Sequence, residues 1–186
     1  MHLKNEMDKS DKNCNYEFWF KFIFNCYWDK VIFFISLFVQ NSCDAEDLSM
    51  DVFVSLWEKR KEKEKIINIE NYLFILARNK SLNYLRKAQH NFSDRDIEAI
   101  DCSYHTIFTP ESQFITKETM EILDKAIQTL PHKTKLAFYL VRVNKMKYKD
   151  AAEVLGVSVK TIEKQVAYAI SKLKDILDGR NCQFFS

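Results

Sequence analysis

The chain has 186 residues, 47% of them apolar, and holds only two Gly and two Pro. That is enough apolar material for a core and far too few breakers for a network of tight strand turns, which predicts an all-α fold. The net charge of +2 excludes a uniformly acidic or basic chain, so any charge signal lies in its distribution.

Residues 11–90 carry a net +1, residues 91–116 a net −4 and residues 117–178 a net +4. A basic C-terminal block suits a polyanion. The five Cys are odd in number, none stand at C-x-x-C spacing, and the four His are not grouped with them. Neither a disulfide framework nor a metal site is expected, and no cofactor is called for. No nucleophile–base pair or Gly-rich phosphate loop stands out, so no enzymatic activity is expected. The start lacks the pattern of a signal peptide, which points to a cytoplasmic protein with reduced thiols. The segment 18–39 is long enough to span a bilayer, but it contains Lys21, Asp29 and Lys30. Each charge would cost about 2.5–3.5 kcal/mol at mid-bilayer, so a core helix is the better reading and a membrane span is not expected.

Residues 1–12 are polar and read as a loose start. The first helix is predicted over 16–40, with Phe18, Phe22, Val31, Phe34, Ile35 and Phe38 as its apolar stripe. Asp44 is the expected N-cap of a second helix ending near Lys61. Its core face is Ala45, Leu48, Val52, Phe53 and Leu56. Met50, Val54 and Trp57 fall on a different face, beside Asp47, Asp51 and Glu58. An apolar and acidic face suits docking, although Trp57 packing on its own domain would give the same pattern. The run 61–65 (KEKEK) reads as a solvated turn or helix end.

A third helix is predicted over 70–88, with Leu73, Leu76 and Ala77 inward. Its second half carries Arg78, Lys80, Arg86 and Lys87, with Asn79, Asn83 and Tyr84 interleaved and Tyr72 and Phe74 just upstream. Aromatics beside cations suit single-stranded bases, which stack on rings while the backbone meets positive charge. Core aromatics followed by an ordinary basic helix end fit this segment equally well.

Residues 89–116 lose the apolar rhythm and read as a flexible acidic linker. Beyond it, 114–129 is predicted helical with Met120, Leu123, Ala126 and Ile127 inward. Pro131 fits the first position of a helix running to Val143, and Asn144 fits a left-handed turn residue. Residues 147–155 and 159–177 then form a helix-turn-helix pattern. Gly156 supplies the turn, Ser158 the cap, and Ile162, Val166, Ala169, Ile170 and Leu173 the core stripe. The opposite face shows Lys160, Thr161, Lys164, Gln165 and Tyr168, with Glu163 at its edge. These are donors for phosphates and purine edges, and Glu163 can accept from a cytosine amino group.

Three segments together resemble the extracytoplasmic-function (ECF) group of sigma factors in the sigma-70 family. DAEDLSMDVFVSLWEKR (44–60) resembles the helix that grips the clamp helices of the polymerase largest subunit. NYLFILARNKSLNYLRK (71–87) resembles the segment that melts and reads the minus-ten element. The segment from Leu130 to Lys174 resembles the domain that reads the minus-thirty-five element.

The resemblance implies two small helical domains: region 2 at 13–88 and region 4 at 117–178, joined by the 89–116 linker. It implies core-polymerase contacts at Asp47, Met50, Asp51, Val54 and Trp57, favouring a partner surface there. The family usually has Gln where Met50 stands and Glu where Asp51 stands. It implies minus-ten contacts at Tyr72, Phe74, Arg78, Asn79, Lys80, Ser81, Arg86 and Lys87. In that set Asn79 helps hold a flipped base, Lys80 and Ser81 form an adjoining loop, and Tyr72 and Phe74 form an aromatic surface. Minus-thirty-five contacts fall on Ser158, Lys160, Thr161, Glu163, Lys164, Gln165 and Tyr168. The implied partners are core RNA polymerase, at its clamp helices and flap, promoter DNA and an anti-sigma factor, often membrane-anchored. The rival reading is a stand-alone regulator with the same helix-turn-helix; its usual receiver domain would need alternating strands, which the first ninety residues lack.

Overall fold

The structure is a computed structural model that describes residues 2–88 and 124–181, with side chains over 15–88 and 124–176. The 89–116 linker, Met120 and Leu123 lie outside the described residues. Every regular element among the described residues is helical.

Helix α1 spans His2–Ser36. It begins well before the expected Tyr16, so the polar start continues the helix. At its other end the chain tightens: Leu37 N donates to Phe34 O (3.2 Å) and Phe38 N to Ile35 O (2.8 Å). The helix therefore closes four residues before the expected Gln40, while Leu37, Phe38 and Val39 stay buried. The inward stripe is Ile23, Val31, Phe34 and Ile35, flanked by half-buried Phe20, Phe24 and Tyr27. Phe18 and Phe22, expected in that stripe, are 77% and 58% exposed.

Helix α2 spans Ser42–Glu58 and is capped by Asn41, whose Oδ1 accepts from Cys43 N at 2.9 Å. Asp44 is not the cap. It sits in the first turn, where a carboxylate suits the helix dipole, and accepts from the Tyr84 hydroxyl at 2.7 Å. A 3₁₀ turn over Arg60–Lys65 leads to helix α3, Ile69–Ala88. Asn68 Oδ1 accepts from Asn71 N (3.1 Å) at its start. Helices α1, α2 and α3 pack on one another around Phe34, Phe53, Leu56, Leu73 and Ala77.

In the second half, residues 124–128 are helical, followed by α4, His132–Phe138. The expected helix to Val143 changes register: Tyr139–Val143 is a π-helical turn, closed by Asn144 N donating to Tyr139 O at 3.0 Å. Asn144 keeps a right-handed backbone, and the left-handed residue is Lys145 (φ 57°). Helix α5, Tyr148–Leu155, ends at Gly156 (φ 66°), and α6 runs Val159–Asn181. Ile162, Val166, Ala169 and Leu173 form the core stripe of α6, whereas Ile170 is 38% exposed.

The two halves share one continuous core. The Tyr139 ring lies 4.7 Å from Phe33 and 6.2 Å from Phe34, and its hydroxyl donates to Lys30 O at 3.1 Å. Burial pushes its phenol far above the usual range. Phe38 meets His132 edge-on at 5.4 Å. Helix α5 packs on α3.

His132 is 3% exposed, with no hydrogen-bond partner at either ring nitrogen among the described residues. Burial, reinforced by Lys135 and Lys133, lowers its pKa from 6.5 to about 4. Between those values the unfolded chain binds a proton that the folded chain refuses. Stability is therefore full above pH 6.5, falls as the pH drops toward 4, and levels off below, with a loss of up to roughly 3 kcal/mol. Thermal melts across this window should show a smaller acid loss for His132→Leu than for the parent chain; equal losses would remove His132 as the cause.

Candidate nucleic-acid and partner interface

Three surfaces collect the residues singled out in the sequence. On α2, Met50 and Val54 are 49% and 47% exposed, and Asp47 and Asp51 are also exposed. Met50 stands between two hollows. One, of about 420 Å³, is lined by Glu17, Phe20, Met50, Val54 and Trp57. The other, of about 440 Å³, is lined by Asp44, Asp47, Leu48, Met50, Asp51 and Tyr84. Trp57 packs edge-on against Phe20 at 5.2 Å, with the Arg60 guanidinium 4.4 Å from its ring. It therefore both supports its own domain and forms part of the open face. Glu17 and Phe20 were missed by sequence reasoning, because the aromatic crowding of α1 hides which ring points where.

The second surface is the far half of α3. Asn79, Asn83, Arg86 and Lys87 are exposed there, and Arg86 donates to Asn83 Oδ1 at 3.1 Å. Arg78 is half-buried. Lys80 Nζ lies 3.8 Å from Asp51 Oδ2, which ties this surface to the α2 face. Such a partly exposed ion pair contributes little to stability. Tyr72 is half-buried, with Lys59 Nζ 5.7 Å from its ring centre.

Two residues assigned to this surface are elsewhere. Phe74 is fully buried, edge-on to Phe34 at 5.0 Å, because α3 turns that face into the three-helix core. It cannot stack on a base. Ser81 is also fully buried, and its hydroxyl donates to Ala77 O at 2.9 Å. Lys80 and Ser81 are continuous helix rather than an adjoining loop, since no breaker interrupts 69–88.

The third surface is the first half of α6. Ser158 Oγ accepts from Thr161 N at 3.1 Å, capping the helix as expected. Lys160, Glu163, Lys164 and Tyr168 are exposed, and Thr161 and Gln165 are half-buried. Val157 and Val159, each 39% exposed, add apolar contact area at the same end. Gly156 lies beside Arg78: a Cβ built there would stand 3.7 Å from the guanidinium.

A model of sigma-70 region 2 matches residues 23–91, and a model of sigma-70 region 4 matches residues 120–173. The ferric citrate uptake sigma factor FecI of Escherichia coli is 24% identical over 141 residues, covering 71% of this chain and 75% of that protein. The ECF RNA polymerase sigma-E factor of Haemophilus influenzae is 23% identical over 154 residues, covering 79% and 81%. Among solved structures, the sigma factor RpoE of Bartonella quintana, in complex with the anti-sigma factor NepR, superposes with a TM-score of 0.62. It is 24% identical and covers 86% of this chain and 96% of that one.

The chain belongs to the sigma-70 family, in its extracytoplasmic-function group. Members of this family are regulatory subunits, not catalytic ones, and this chain acts with RNA polymerase in promoter-directed initiation of transcription.

The burial of Phe74 yields a direct test. Phe74→Ala should cost about 3–5 kcal/mol of stability, read by denaturant unfolding. A chain that keeps its stability and loses only DNA binding would return Phe74 to the surface.

Proposed function

We propose that this chain directs polymerase to promoters with both a minus-thirty-five and a minus-ten element and holds the melted strand open. The observation that carries the reading is the recognition helix α6, which is capped by Ser158 and exposes Lys160, Glu163 and Lys164 in its first two turns. Inserted in a major groove, this end meets phosphates with its lysines and base edges with Glu163 and Gln165. The exposed end of α3, with Asn79, Arg86 and Lys87, is suited to the opened minus-ten strand. Asn79 offers an amide that can pair with the edge of an unstacked base. With Phe74 and Ser81 in the core, this surface reduces to Tyr72, Arg78, Asn79, Lys80, Arg86 and Lys87.

The α2 face is the proposed seat of the polymerase clamp helices. Met50 and Val54 supply apolar contact, and Asp47 and Asp51 supply charge that steers a basic partner. Region 4 would engage the flap. Among the solved relatives, the sigma factor RpoE is held by the anti-sigma factor NepR, and CnrH is in complex with the cytosolic domain of CnrY. An anti-sigma factor is therefore part of this reading, as is a cytoplasmic site of action. No helix among the described residues is long and apolar enough to cross a membrane.

Run-off transcription with core polymerase and genomic fragments should give discrete start sites that need this chain. Tight operator binding without any transcript would favour a stand-alone regulator. Asn79→Ala should leave duplex binding intact and reduce permanganate reactivity of the opened strand about tenfold; unchanged reactivity would remove Asn79 from strand capture. Val54→Asp should change stability by no more than about 0.5 kcal/mol and weaken core-polymerase binding at least about tenfold. Parent-like affinity in a pull-down titration would displace the docking face.

A further inference from the structure

The exposed face of α6 is basic, with one exception. From Val159 to Lys174 the helix carries Lys160, Lys164, Lys172 and Lys174, and Glu163 is its one carboxylate. Nothing in the fold requires an acid there. Glu163 is the fifth residue of the helix, past the first turn in which a carboxylate gains from the helix dipole. Its side chain is exposed, and among the described residues no ion pair or hydrogen bond holds it, not even with Lys160 one turn back. A free carboxylate on a surface that meets phosphates opposes binding.

Its neighbours narrow what it does instead. The Thr161 hydroxyl lies 2.8 Å from Ser158 Oγ, within the cap. Gln165 is half-buried, in a cavity it shares with Phe38, Arg78 and Leu155. Lys160 and Lys164 are donors on flexible stems, and they serve a phosphate as readily as a purine. Glu163 is therefore the one exposed side chain in the first two turns that accepts and cannot donate. Ala167, one turn further, is exposed and short, so no bulky side chain keeps this edge of the helix away from the bases.

We propose that Glu163 is a specificity residue that works by exclusion: it demands cytosine on the facing strand at one base pair of the minus-thirty-five element and weakens the hold on every other sequence. The inference rests on the two-element reading above and names what the recognition helix reads. In the major groove cytosine presents an amino donor alone and adenine a donor beside the N7 acceptor, whereas thymine presents the O4 acceptor and guanine presents O6 and N7. A carboxylate is satisfied by the first, half-satisfied by the second and repelled by the other two. A wrong base leaves a charged acceptor desolvated and unpaired, so the discrimination comes from what is rejected and not from added affinity.

Holoenzyme reconstituted from the full chain and core polymerase tests this on promoters randomised over the minus-thirty-five element, read by sequencing the run-off transcripts. The parent should favour cytosine over guanine about tenfold at one position of one strand. E163Q carries an amide that both donates and accepts, so it should move that preference toward adenine and leave the other positions as they are. At one fixed salt concentration it should also bind unrelated duplex about threefold more tightly, since a negative charge facing phosphates is gone. N4-methylcytosine at the same position keeps the base pair and blocks the outward amino hydrogen. It should lower the parent's transcript yield about tenfold and leave that of E163A unchanged.

A parent that discriminates among minus-thirty-five sequences without any such cytosine preference would overturn the inference and leave the two-element reading standing. So would an E163Q pattern equal to the parent's, or equal parent yields from cytosine and N4-methylcytosine. Weaker binding of unrelated duplex by E163Q would make the carboxylate an attractive contact and overturn exclusion. Transcripts indifferent to every minus-thirty-five position would instead refute the two-element reading itself, and the inference with it.

Discussion

Phe34 is the point on which the rest of the molecule turns. It is fully buried, with Phe74 at 5.0 Å, Phe38 at 5.4 Å and Tyr139 at 6.2 Å. Those rings come from α3, from the turn after α1 and from the π turn of the second half. A single side chain therefore joins the packing of the first three helices to the packing of the helix-turn-helix. Aromatic contacts of this kind add about 0.5–1.5 kcal/mol per pair beyond the area they bury. Their preferred edge-on geometry also fixes the angle at which the two halves meet.

What this core leaves outside is as informative as what it encloses. The apolar side chains of α2 divide cleanly: Val52, Phe53 and Leu56 go inward, while Met50 and Val54 stay in solvent beside Asp47 and Asp51. This division, two apolar side chains in solvent flanked by two carboxylates, is what the proposed docking face rests on. In α6 the same division separates Ile162 and Val166 from Lys160 and Lys164. The packing that stabilises each helix also aims its other face, so folding and presentation of the proposed binding surfaces follow from one pattern.

Much of this was legible in the sequence. The all-α class followed from the scarcity of Gly and Pro, and the Gly156 turn and Ser158 cap were readable because few residue types serve those positions. The α2 core and α6 stripe followed from period alone, save for Ile170. The failures are also physical. Around Phe18–Phe24 nearly every residue is aromatic or aliphatic, so several helical faces score alike, and Phe18 and Phe22 were placed inside while Phe20 was overlooked. Phe74 was placed on a DNA surface because aromatics near cations look the same whether they face a base or a core. The hydrogen bonds from Asn71 to Asp150 and Glu153 carried no signal, since those partners lie some eighty residues away.

The π turn at Tyr139–Val143 gives the second half an unusual kind of sensitivity. Each residue in a helix advances the chain by about 1.5 Å and rotates it by about 100°. The extra residue held in this turn therefore sets the azimuth at which everything after Asn144 leaves, including the orientation of α6. A single-codon insertion or deletion here would swing α6 by about 100° relative to the three-helix core while leaving the sequence of α6 itself untouched.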